Sequence, residues 1–155
     1  MFTHMFDTTN PQASIERENE LRKKWLKITA FFMQKGSKIS LIYWPNDFSV
    51  VKEHQHSIYG ITDLQLFKEK ILTVENNMEN MFCNISDEVK NIVLQYIPSD
   101  TETLVPWFHL NIINQSDEII YSSQDKGSAV LVKLLPGDMN SLLKKGLDER
   151  DFKKI

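Results

Sequence analysis

The hydrophobic period of this chain changes after Tyr96, and that change restricts the folds open to it. Up to Tyr96 the apolar residues recur mainly three and four apart, as on one face of a helix, whereas from Trp107 to Leu135 they alternate, as on one face of a strand. Helices gathered ahead of a run of neighbouring strands specify an α+β layer. The expected architecture is an antiparallel sheet, made of a three-stranded C-terminal meander and one N-terminal strand, covered by two long helices and two short ones.

The helical half is read from its stripes and its ends. Asn10 before Pro11 suits a helix start, and Leu21, Trp25, Ile28 and Phe32 then form one stripe, with acids early (Glu16, Glu18, Glu20) and bases late (Arg22, Lys23, Lys24, Lys27, Lys35). A helix over 11–35 follows, with Gly36 as its left-handed stop. A strand is expected from Lys38 to Trp44, ended by Pro45-Asn46-Asp47, while Phe48 to Tyr59 reads equally as one or two short strands around Val50, Val51 and Ile58. Thr62-Asp63-Leu64-Gln65 has the form of a capping box, and Leu64, Phe67, Ile71, Val74, Met78 and Met81 continue at helical spacing, which predicts a second long helix over about 63–82. Ser86-Asp87 opens a shorter helix through Val89, Ile92, Val93 and Tyr96, and Pro98 prevents its continuation.

In the strand half, Trp107–Ile113, Glu118–Ser123 and Ser128–Leu135 are separated by loops of hairpin length. Asp138 is expected to cap a last short helix through Leu143, which Gly146 ends. No repeat or linker divides the 155 residues, so a single domain is expected, with residues 1–9 as a flexible lead-in.

Composition narrows the function classes. A net charge of −3 argues against a generic nucleic-acid binder, which needs a domain-wide excess of Lys and Arg. From Asp63 to Glu102, eight acids against three bases leave the segment at −5 and the remainder of the chain at +2, so a local acidic surface suited to a basic partner is expected. One cysteine, Cys83, cannot close an internal bridge and reads as a small buried residue. No leading cationic and apolar pattern marks a secretion signal and no apolar run is long enough for a membrane span, so a cytoplasmic protein is expected.

Reactive motifs are sparse. His54 and His56 would share one side of an extended chain, and His109, Asp47 or Glu53 would have to converge on them to hold a metal, so exposed loop histidines are the expectation. By alternation His109 lies on the strand face opposite Phe108, Leu110 and Ile112. The glycines are isolated and no G-x-S-x-G occurs, which leaves neither a phosphate cradle nor a nucleophile elbow; no catalytic residue, cofactor or metal is assigned. The aromatic pairs Tyr43-Trp44 and Trp107-Phe108 stand at strand ends, where large side chains either close a core or anchor an interface.

In its capped first helix, its Ile119-Ile120-Tyr121-Ser122-Ser123 and Gly127-Ser128-Ala129-Val130-Leu131-Val132 strands and its closing Gly146-Leu147-Asp148, the chain resembles small bacterial immunity proteins. These neutralise the toxin domains of contact-dependent inhibition and related polymorphic toxin systems. The resemblance implies a cytoplasmic, stoichiometric inhibitor, monomeric or weakly dimeric, that docks a basic toxin domain, a nuclease being one such class. The expected docking residues are Glu69, Glu75, Glu79, Asp87 and Glu88 with Trp44 or Trp107. The competing expectation is a small hydrolase or ligand-binding domain with a pocket lined by Tyr43, Tyr59, His109 and His54.

Overall fold

The computed structural model describes residues 1–8, 15–45, 60–95 and 107–155. Within them the fold is α+β, built on an antiparallel sheet of eight strands with four helices. In chain order the elements are β1 (His4–Asp7), α1 (Ile15–Met33), β2 (Lys38–Tyr43), α2 (Ile61–Leu64), β3 (Lys68–Thr73), β4 (Glu79–Asn84), α3 (Asp87–Gln95), β5 (His109–Ile113), β6 (Ile119–Gln124), β7 (Ala129–Val132), α4 (Asp138–Lys144) and β8 (Phe152–Lys154). The strand order is β3-β4-β2-β5-β6-β7-β1-β8.

Pairing fixes which side chains share a face. Ile39 stands opposite both Cys83 and Ile112, Leu41 opposite Met81 and Leu110, and Tyr121 opposite Ile112 and Val132. Farther across the sheet, Val130 pairs with Phe6, and Phe6 with Phe152. These rows make a nearly continuous apolar face, and α1 lies on it. The α1 stripe Trp25, Ile28 and Phe32 is fully buried there, with Leu21 almost so. Two hydrogen bonds pin the helix to β6: Trp25 Nε1 donates to Ser123 Oγ at 3.0 Å, and the Thr29 and Tyr121 hydroxyls meet at 2.7 Å. Buried polar atoms must find partners, so these bonds also fix the position of α1 over the sheet. Helices α3 and α4 contact α1, and the Cys83 thiol donates to the Leu64 carbonyl at the end of α2.

The meander β5-β6-β7, strand β2, helix α3 and the last short helix lie where the sequence places them. The second long helix does not form: residues 65–84 are a single turn of 3₁₀ helix followed by the hairpin β3-β4. Two local facts oppose a helix there. Asn76 and Asn77 both take left-handed backbone conformations, φ 59° and 58°, which reverse the chain and which Asn tolerates better than most residues. Met81 and Cys83 also satisfy period two, and pairing with Leu41 and Ile39 buries both completely. The expected capping box is absent as well: α2 begins two residues earlier, after left-handed Gly60, and Thr62 lies inside it with no side-chain cap.

Other corrections come from packing. The N-terminal residues expected to be a flexible lead-in include β1, which inserts between β7 and β8 by burying Phe6. Gly36 is not a left-handed stop. A Cβ there would stand 2.3 Å from Ile112 Cγ2, so glycine is required because the end of α1 crosses closely over β5. Asp138 does not cap α4, whose N-cap is Gly137; its carboxylate instead accepts from the Leu135 amide and pairs with Lys35. The Asn10-Pro11 helix start, the 48–59 segment, Tyr96, Pro98 and the polar stretch 99–102 lie outside the described residues.

Candidate partner-binding surface

The acidic residues expected to form one surface fall into two groups separated by the length of β3, six residues or roughly 20 Å. At one end, Glu69 is exposed; Asn84 Nδ2 donates to its carboxylate at 2.7 Å and Lys38 Nζ lies 3.9 Å away. Asp87 and Glu88 follow Asn84 closely in the first turn of α3. Ser86 Oγ accepts from the Val89 amide at 3.2 Å and so caps that helix. The Glu88 carboxyl is held below the usual range, first by its own backbone N–H at the helix start and then by Ser86. Lys90 Nζ lies 3.2 Å from Asp87.

At the other end stand Glu75, Glu79 and Trp44. Glu75 is exposed in the turn between β3 and β4. Glu79 is half-buried and accepts from the Tyr43 hydroxyl at 2.7 Å. Burial and then this carboxylate both push the Tyr43 pKa upward, which keeps the phenol protonated. Trp44 follows β2, and its indole N–H donates to the Asn76 carbonyl at 3.2 Å, tying the hairpin turn to the end of β2. Its ring packs on Phe108 at 4.5 Å between centroids, and Phe108 lies 4.1 Å from the His109 ring. Three aromatic rings therefore gather at the hairpin end near the turn that carries Glu75, whereas Glu79, opposite Tyr43, lies on the helix side of the sheet.

Trp107 is not part of this surface, because it is fully buried and closes the core. The alternation expected through residues 107–112 starts only at His109, where β5 begins; the chain bends at Trp107 and Phe108. That bend turns Trp107 inward and brings Phe108 alongside His109, where unbroken alternation would have set them on opposite faces. Pro106 just before the bend is a residue type that marks a break, but alternation alone could not find the Trp44-Phe108-His109 group. The turn at Asn76-Asn77 did carry a signal, since adjacent asparagines between apolar runs favour reversal.

The geometry also bears on the ligand-pocket residues. His109 pairs with Ile42, the neighbour of Tyr43, so His109 and Tyr43 point to opposite faces of the sheet. His109 Nδ1 accepts from the Asp125 amide at 3.3 Å, and burial depresses the ring pKa against the opposing influence of Asp125 and the Phe108 backbone. A protonated ring could not accept that bond. His54, His56, Tyr59, Asp47 and Glu53 lie outside the described residues. Among the described residues no three His, Cys, Asp or Glu side chains are grouped to hold a metal, and no helix is long and apolar enough to cross a membrane.

Around the hairpin, Leu66 is 82% exposed, Leu72 46% and Phe67 37%, an apolar border beside the acidic positions. On the face away from the helices, Lys70 Nζ sits 4.7 Å from the centre of the Phe82 ring. Comparison of the chain with protein-family models, curated proteins and solved structures finds no match, so the surface is interpreted from its own geometry.

Proposed function

We propose that this chain is a protein-binding inhibitor that works in the cytoplasm, an immunity protein that neutralises a basic bacterial toxin domain by stoichiometric binding. The observation that supports it is the assembly at the end of the hairpin. Trp44 is fixed by its bond to the Asn76 carbonyl and packed at a tilt on Phe108, with Glu75 exposed on the same turn and Glu79 at the base of the turn on the helix side of the sheet. A preorganised aromatic cluster loses little side-chain freedom on docking and suits an anchor, and acids around it speed encounter with a positively charged partner. Glu69, Asp87 and Glu88 lie at the far end of β3 and extend the negative field rather than the anchor.

The test is binding of the full chain to a basic toxin domain, sought first among the reading frames beside its gene, measured over a range of salt. Glu75→Lys combined with Glu79→Gln is expected to slow association about tenfold and to flatten its salt dependence, the Gln preserving an acceptor for Tyr43. Trp44→Ala is expected to weaken the complex by about 2 kcal/mol, mainly through faster dissociation. Unchanged rates and salt dependence in both variants would remove the assignment.

A further inference from the structure

Strand β3 is the outermost strand at one end of the sheet, and among the described residues only β4 pairs with it. Its outer edge is a row of backbone donors and acceptors six residues long. The opposite edge differs: β8 has three residues, with Lys153 and Lys154 both exposed, a short and like-charged edge that resists pairing. The β3 edge is long and carries both signs of charge.

Its side chains are arranged for a particular pairing. The ladder shifts between Lys68 and Lys70, so that Lys68 stands opposite Cys83 on the helix side while Lys70 stands opposite Phe82 on the other. The additional residue, Glu69, reaches Asn84 and Lys38, which share the Phe82 side. Glu69 and Lys70 are therefore adjacent in sequence and on the same face of the sheet, which regular alternation forbids and the bulge permits.

We propose that β3 pairs antiparallel with β3 of a second copy of this chain, joining two sheets edge to edge about a two-fold axis perpendicular to them. The register that sets Glu69 opposite Lys70 of the second copy makes two symmetry-related ion pairs on one face. The same register sets Ile71 opposite Lys68 of the second copy on the helix side, where the lysine stem covers it. It also brings the exposed Leu72 to Phe67 of the second copy, removing apolar surface from water at both ends of the interface. Charge complementarity, face and exposure all select this register, and an isologous contact of this kind closes at two copies. The pairing does not depend on the toxin-binding reading, because Trp44, Glu75 and Glu79 lie at the far end of the hairpin.

Sedimentation equilibrium of the full chain tests it. A concentration-dependent dimer is expected for the unaltered protein. Glu69→Lys is expected to weaken it about tenfold, and Glu69→Lys with Lys70→Glu, which restores opposite charges across the axis, is expected to recover it. Both variants lose the contacts of Glu69 with Asn84 and Lys38, so recovery isolates the pairing between copies. Amide exchange over residues 69–73 should slow as concentration rises while that of β8 stays constant. A protein that remains monomeric up to its solubility limit, or a dimer indifferent to both substitutions with unaltered exchange at 69–73, overturns the proposal.

Discussion

Strands β6 and β3 are both six residues long, yet β6 buries four successive residues from Ile120 to Ser123 while β3 leaves five of its six exposed. The difference lies in their neighbours. β6 runs between β5 and β7 under α1, so its helix-side residues pack in the core and Ser122, on the other face, is 4% exposed. Among the described residues β3 has one neighbour, and of its helix-side residues Lys68, Ile71 and Thr73 only Ile71, opposite the buried Met81, is even partly covered. Position in the sheet, not strand length or propensity, thus decides whether a strand holds the fold together or offers a surface.

The strongest way to break this contrast is to substitute at the α1-β6 seam. Trp25→Ala removes a fully buried indole and leaves Ser123 without its donor, so a loss of about 3–5 kcal/mol is expected by urea denaturation. A loss below about 1 kcal/mol would mean that α1 is not seated on β6 as described.

The hydroxyl pair in the same seam gives a finer measure. Thr29→Val and Tyr121→Phe each remove one side of the 2.7 Å contact, and a double-mutant cycle is expected to show a coupling of about 1 kcal/mol. Across the sheet, Leu72→Ala on β3 should change stability by no more than about 0.5 kcal/mol, because the side chain is already 46% exposed. A comparable cost at both sites would erase the distinction between a supporting strand and a presented one.

The same contrast explains what could be read without coordinates. Segments whose partners are adjacent in sequence were legible: β5, β6 and β7 alternate and are joined by short loops, and α1 carries a full stripe from Leu21 to Phe32. The β3-β4 region was not, because its apolar positions fit periods near both three and a half and two. The choice was made by Ile39 and Leu41, far away in sequence, which bury Cys83 and Met81. β1 was hidden for the same reason: its one buried residue, Phe6, gains its place from Val130 and Phe152 at the other end of the chain. Of the expected docking residues, Trp44 is tied to the turn that carries Glu75, while Glu79 faces the helix side beside Tyr43. Trp107 is in the core because the chain bends before β5, a feature that Pro106 signals as a break but whose direction alternation does not give.

Cys83 offers the most sensitive probe, since it stands on β4 between the two kinds of strand, opposite Ile39 on one side and Lys68 on the other. Burial, with a smaller contribution from Glu69, pushes its thiol from 9.0 to about 11, so the folded protein keeps it protonated where the unfolded chain would ionise. A group whose pKa is raised on folding stabilises fully below its unfolded pKa, and that contribution fades as pH rises through the folded value. Stability should therefore fall between about pH 9 and 11. Tyr43 and Tyr121, also raised by burial, push in the same direction as pH climbs further, so the share due to Cys83 is the part of the decline that Cys83→Ala removes. Thiol labelling of the native protein completes the comparison. If β3 opens independently of β6, Cys83 reacts faster than the Tyr121 amide exchanges; equal opening rates would show that the hairpin and the meander unfold as one unit.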